Sequence, residues 1–320
     1  MGIELITRNK YTNKMYYPVL GEGMQWTTER KGTCGKLTFK CLTSGLDLRR
    51  GNPVRVKMND IGFFFGYCFT SEPDTDGWVN VTCYDQVRYL LNKGQLMYTN
   101  KTACDVIKMI ANNLAIGLGY VANTSYVIDK RDEDNTTYLD MILTAISFET
   151  HHTGNLYCLY DDYGKLVLRN TSDLKVDYLI DLNSTQDLTY KATIDNDVYN
   201  KIVLAYDNKE TGKRELYITQ DSNNIWDWGV LQYYEKINTV IGAKNKADTL
   251  LKYYNREKRT LTVKNVIGDI RVRAGCKIPV SLDLGEVVLK NYMIVDKAVH
   301  NFNNNEHFMD LTLIGNDFTA

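Results

Sequence analysis

The chain has 320 residues and a formal net charge of −1, with 24% charged residues. That length accommodates two or three domains with substantial cores, and the charge balance excludes a global basic field for nucleic acid or an anionic membrane. Twenty-three tyrosines against four prolines favour strands over helices.

Residues 1–20, MGIELITRNKYTNKMYYPVL, lack the apolar stretch of a signal peptide, and no segment reaches membrane-spanning length. Met1-Gly2 is followed by Ile6 where a myristoylation signal needs Ser or Thr. The cysteines at 34, 41, 68, 83, 104, 158 and 276 are odd in number and form no CxxC pair. They read as buried free thiols of a chain folded in a reducing cytoplasm.

Up to residue 50 the pattern is that of strands, with Leu37, Phe39 and Cys41 alternating with lysines and Thr38. In residues 51–98, Val54, Val56 and Met58 alternate with Arg55 and Lys57, Asn59-Asp60-Ile61-Gly62 turns, and Phe63 to Phe69 returns. An acidic loop at 71–77, a strand through Val79, Val81 and Cys83, and a helix from Asp85 to Asn92 follow. These features make 1–98 a first β domain.

Thr102 and Asp105 then resemble a capping box that opens a helix lined by Val106, Ile107, Ile110 and Leu114. A second helix is expected from about Tyr138 to Ser147. A hairpin is expected at Leu156–Tyr160 and Lys165–Arg169, across Asp161-Asp162-Tyr163-Gly164. Residues 99–185 therefore read as a small α+β domain inserted between larger parts. Strands dominate again over 186–320, where Ile202, Leu204 and Tyr206 alternate and Glu215 to Thr219 returns. Trp226 and Trp228 fall in a polar connection. A helix is expected at 243–255, with Lys244, Lys246, Lys252 and Arg256 around its outside.

Two stretches share the pattern G-x-x-[VI]-x-V-x-[ML]: Gly51 to Met58 and Gly275 to Leu282. Tyr67 and Tyr292 follow at similar distance. The overall expectation is an α+β, mainly β chain with two related β-barrels, one on each side of the middle domain.

The run FFFGYCF, the acidic loop and YDQVRYLLNKGQLMYTNKTACDVIKMIA resemble the baseplate or tail hub proteins of contractile phage tails and phage-tail-like bacteriocins of Gram-positive prophages. TYLDMILTAI at 137–146, TGNLYCLYDDYGKLVLRN at 153–170 and YMIVDKAVHNFNNNEHFMDLTLIG at 292–315 fit the same family. The resemblance implies two tube-type β-barrels per subunit and a homotrimer. Its pseudo-six-fold ring would join the tail tube protein to the central spike protein. It also implies synthesis in the bacterial cytoplasm and residence in the virion baseplate.

Chemical candidates are few. Glu149, His151 and His152 cluster, with Asp161 and Asp162 further along, but adjacent histidines on an extended segment point apart, and a solvated loop is expected there. His300 and His307 flank Asn-rich residues and read as surface groups of a hairpin loop. The lysines around 243–255 read as a solvated face. Among Trp26, Trp78, Trp226 and Trp228, the last two are the best candidates for a contact surface. No Walker loop, G-x-S-x-G, H-E-x-x-H or zinc pattern is present, so no catalytic residue, metal or cofactor is expected. A structural hub is the favoured reading. A cell-wall-degrading tail-tip enzyme using Glu149, or a host-surface carbohydrate-binding module, is the alternative. A channel through such a hub should be neutral or acidic, with basic residues elsewhere and no specific binding of nucleic acid.

Overall fold

The computed structural model describes residues 2–315 apart from 183, 186, 210, 286, 287, 304 and 305. The first part contains β1 (Ile3–Arg8), β2 (Met15–Tyr16), β3 (Met24–Glu29), β4 (Lys36–Leu42), β5 (Pro53–Met58), β6 (Ile61–Pro73) and β7 (Trp78–Tyr84). Asn59 and Asp60 both adopt positive φ, 47° and 67°, as a two-residue turn between twisted strands requires. β6 is longer than the apolar run suggests and takes in part of the acidic loop. The helix expected at 85–92 is one turn, α1 (Val87–Leu90).

The middle part holds β8 (Lys93–Lys101), α2 (Ala103–Asn113), β9 (Leu118–Val121), β10 (Ile128–Thr137), α3 (Tyr138–Thr153), β11 (Tyr157–Asp161) and β12 (Leu166–Asn170). Thr102 and Asp105 form both bonds of the capping box that starts α2. α3 continues past the expected Ser147 until Gly154, at φ 75°, ends it. The loop expected at 149–152 is thus the last turn of a helix, because Glu149 and Thr150 pack inward and extend its buried face. α2 and α3 enclose Val106, Ile107, Ile110, Met141 and Ile142, all fully buried. Burial of each such aliphatic side chain contributes about 2 kcal/mol.

The last part comprises β13 (Asp187–Thr193), β14 (Lys201–Asn208), β15 (Lys213–Gln220), α4 (Ser222–Trp228), β16 (Gln232–Ile237), α5 (Ala243–Tyr254), β17 (Lys258–Ile267), β18 (Lys277–Asp283), β19 (Val288–Asn303) and β20 (Glu306–Gly315). Trp226 and Trp228 lie on α4, a short helix that Asp221 caps within the polar connection between β15 and β16. β15, β14 and β16 form a separate sheet, and α5 closes over Ile202 and Leu204 with Ala247 and Leu250.

Strand is the dominant secondary structure, distributed over four sheets. The largest has twelve strands and runs β13-β17-β20-β19-β3-β4-β7-β6-β5-β1-β2, with β18 beside β19. Two cores lie along it. One gathers Leu5, Trp26, Leu37, Phe39, Val56 and Val81, and the other Leu261, Val263, Ile278, Val295 and Leu311. Among the described residues no sheet closes on itself, so neither half is a closed barrel within one chain. The physical reason is that β3 gives its outer edge to β19, in the other half, and not to a strand of its own half. All seven cysteines are buried and unpaired.

Candidate assembly interface

The residues singled out as possible chemistry do not converge. The Glu149 carboxylate accepts hydrogen bonds from the Ser125 and Tyr126 amides at 2.9 and 2.7 Å and from Ser125 Oγ at 3.2 Å. It therefore fastens an irregular segment onto α3. His151 leaves on another side of the helix, with Nε2 3.5 Å from the Tyr254 hydroxyl, and burial pushes its pKa down to about 4. His152 stacks on Tyr126 at 3.7 Å between ring centroids. Asp162 is exposed at the β11–β12 turn. No group of three or more His, Cys, Asp or Glu side chains among the described residues could hold a metal ion.

Asp161 belongs to a different arrangement, which the sequence did not reveal. Its carboxylate accepts from Gln86 Nε2 at 3.1 Å and the Gly164 amide at 2.7 Å. The Arg273 guanidinium donates to the Asp161 carbonyl at 3.0 Å and lies 3.9 Å from the Tyr160 ring centroid. Nearby, the buried Asp85 accepts from the Gly35 and Val87 amides at 2.8 and 3.0 Å. Desolvation raises Asp161 to about 6, and desolvation followed by repulsion from Asp161 raises Asp85 well above the usual carboxylate range. This joint ties the end of β7, the β11–β12 hairpin and the approach to β18 together. Its two carboxylates are taken up by the Gly35, Val87 and Gly164 amides and by the Gln86 side chain.

His300 and His307 stand in β19 and β20, and the expectation of a surface loop is wrong for His300, which is fully buried. The cause is strand period: Ala298, His300 and Phe302 point to one face, the core. His300 Nε2 lies 2.8 Å from the Val272 carbonyl and Nδ1 lies 2.9 Å from His307 Nε2. A carbonyl only accepts, so His300 carries its proton on Nε2 and His307 donates from Nε2. Burial pushes His300 down to about 3 and His307 to about 4. The turn residues 304 and 305 between the two strands lie outside the described residues.

Trp26 is in the core against His300, Trp78 lies near Lys40, and Trp226 is 89% exposed. Of the helix lysines, Lys246 pairs with Glu235 at 2.7 Å, whereas Lys244 and Lys252 are exposed.

What the fold does bring together is its two halves. β3 and β19 pair antiparallel from Lys297–Glu29 to Phe302–Met24. Arg30 bonds Asp296 by backbone amide and by guanidinium, both at 2.9 Å, and Lys297 meets Glu29 at 2.7 Å. The halves match in strand order: β3-β4-β7-β6-β5 in the first and β13-β17-β20-β19-β18 in the second, every pair antiparallel.

The shared glycine pattern sits at one point of both. The Gly51 amide donates to the Cys68 carbonyl and the Cys68 amide to Asn52, while Gly275 donates to Val295 and Val295 to Cys276, all within 2.7–2.9 Å. Gly51 and Gly275 have φ of 83° and 94°, which side chains resist. A register break follows each, Cys68/Thr70 and Val295/Lys297. The separate sheet and α5 occupy the β13–β17 connection, where the first half has only residues 30–35.

The profile of the YQBQ-like family matches residues 24–314. The phage-like element PBSX protein XkdQ of Bacillus subtilis (strain 168) is 27% identical over 269 residues, 82% of this chain and 81% of that protein. The 43 kDa tail protein of prophage MuSo2 from Shewanella oneidensis shares the fold with a TM-score of 0.69 at 13% identity, covering 97% of this chain and 98% of that one. The E. coli c3393 protein, a type VI secretion component with structural similarity to T4 tail proteins gp27 and gp5, aligns with a TM-score of 0.61 at 10% identity, over 98% of this chain and 77% of its own.

Proposed function

The chain belongs to the YQBQ-like family, and from that premise we propose that it is a structural subunit of a phage-type tail, the baseplate hub. Three copies would form a pseudo-six-fold ring between tail tube and central spike. The observation that carries the reading is the duplication, two five-strand units of one topology joined edge to edge. A relative from a phage-like element and the fold shared with a prophage tail protein support it.

Each half supplies four strands to the continuous path β13-β17-β20-β19-β3-β4-β7-β6. In the ring each half would act as a tube-type barrel domain, about 1–98 and 186–320, with 99–185 between them. A six-fold tube could then rest on six similar units, and a three-fold spike on three chains. The work is done by shape and interface area, with no turnover, metal or cofactor, in association with other baseplate proteins.

The face of the path turned away from the cores would line the bore. It carries Thr38, Thr82, Thr262 and Thr312 in cross-strand pairs. The sequence placed basic residues elsewhere, yet Lys40, Lys264 and Lys297 stand on this face. Each has a carboxylate within 4 Å, Asp74, Asp187 and Glu29, and these pairs offset part of the attraction for a polyanion, while Lys36 and Lys191 on the same face have no ion pair within the chain among the described residues. Immunogold labelling of an epitope-tagged chain in intact particles tests the reading. Label at the baseplate end of the tail is expected, and label along the sheath or its absence from particles refutes it.

A further inference from the structure

Resting on that hub reading, we infer that the ring is sealed by a specific strand addition between copies. β13 of one copy pairs antiparallel with Phe69–Pro73 of β6 in the next, in the register that β3 and β19 use within one chain.

Among the described residues β13 has a neighbour on one side only, β17. The end of β6 is likewise bordered only by β7, because β5 leaves it after Tyr67. Such edges present unpaired amides and carbonyls, and proteins normally cover or blunt them. The internal repeat says what covers these two. β13 is the counterpart of β3, and the end of β6 is the counterpart of the β19 segment that receives β3. The edge that is satisfied inside the chain is therefore open once more at each end of it, and a second copy supplies the missing strand. Repetition is head to tail, and it closes when the rotation per copy closes.

The register follows from residue correspondence. Trp26 faces Leu37, then Cys83 and Cys68, across the first half, and Tyr190 faces Leu261, then Leu313 and Val295, across the second. Glu29 thus corresponds to Thr193, Thr27 to Lys191 and Arg30 to Ile194. On the receiving strand, Lys297 corresponds to Thr70, Val299 to Glu72 and Asp296 to Phe69. Transferring the β3–β19 pairs places Thr193 opposite Thr70, Ala192 opposite Ser71 and Lys191 opposite Glu72.

The chemistry of these pairs agrees. Lys191 and Glu72 are exposed with no ion-pair partner among the described residues, and opposite charges directly across a ladder attract. The Arg30–Asp296 ion pair inside the chain becomes Ile194 beside Phe69 between copies, an apolar pair from two half-buried residues.

The test is cross-linking in assembled particles. Thr70→Cys with Thr193→Cys in one chain places two thiols on directly opposed residues, whose Cβ atoms lie about 5 Å apart. Oxidation should convert the chain to covalent multimers on a non-reducing gel. Glu29→Cys with Lys297→Cys is the control and should bridge within one chain. Thr193→Cys with Glu72→Cys, two residues out of register, should cross-link far less. If the cysteines disturb folding, Glu72→Lys should abolish ring formation and Lys191→Glu in the same chain should restore it. Rings of three that give no 70–193 bridge and tolerate Glu72→Lys would overturn this edge pairing and leave the hub reading standing. Particles holding a single copy would overturn both.

Discussion

His300 offers a quantitative test of how the second half is held, because a neutral imidazole lies where the β19–β20 hairpin meets β3. Its ring is 4.6 Å from Trp26, and His307, Asp269 and Arg273 are the titratable groups acting on it. Burial lowers the folded pKa from 6.5 to about 3, so between those values the unfolded chain binds a proton that the folded chain refuses. Stability is therefore full above about pH 6.5 and lost as pH falls. At roughly 1.4 kcal/mol per pH unit below 6.5, lowering pH from about 7.5 to 4.5 removes about 3 kcal/mol through this group.

The informative perturbation is His300→Phe. It keeps the aromatic stack but leaves the Val272 carbonyl and His307 Nε2 without their partner, at a cost of about 2 kcal/mol at pH 7.5. The variant no longer carries the acid penalty, so the gap between the two proteins should close near pH 5. Carboxylates that titrate in the same range cancel in the difference. Urea unfolding followed by tryptophan fluorescence at several pH values measures it. A gap constant from pH 7.5 to 4.5 would refute the neutral, buried assignment.

Three further outcomes are expected. Asp85→Asn should gain stability relative to the parent as pH rises from 5 to 8, since a raised carboxylate pKa favours folding in acid and loses that contribution on ionisation; thermal midpoints at the two pH values check the sign. Glu149→Ala should cost about 2 kcal/mol by orphaning the Ser125 and Tyr126 amides, while it and His152→Ala leave particle assembly and any killing activity intact. A large loss of activity in normally assembled particles would revive a catalytic reading. The purified chain should show no measurable binding of duplex DNA at physiological salt by fluorescence anisotropy, and clear salt-sensitive binding would contradict the paired-lysine account of the bore.

Local signals in the sequence carried the elements that local chemistry decides. The Thr102–Asp105 box, the Asn59-Asp60 turn and the Asp161–Gly164 hairpin all form where their residue types demand. The glycine pattern also marked a true structural equivalence, although Tyr67 and Tyr292 are not counterparts: Tyr67 corresponds to Ile294 in the matched ladders. Nothing local distinguished strands 201–208 and 213–220 from those of the large sheet. Their membership depends on which core they reach, and α5 supplies them with a separate one. His300 was misread because a polar residue near an Asn-rich turn looks exposed, whereas the alternation with Ala298 and Phe302 already put it on the buried face. The Asp85–Asp161–Arg273 joint and the β3–β19 ladder connect segments 76 to more than 250 residues apart, and no periodicity reports such pairings.

The most direct measurement is an image reconstruction of the assembled tail tip at a resolution that traces strands. The account predicts three copies of this chain around the axis, with β3–β4–β7–β6 and β13–β17–β20–β19 alternating as six equivalent blocks of one continuous wall. Copies placed away from the axis, or halves at different radii that share no wall, would contradict it.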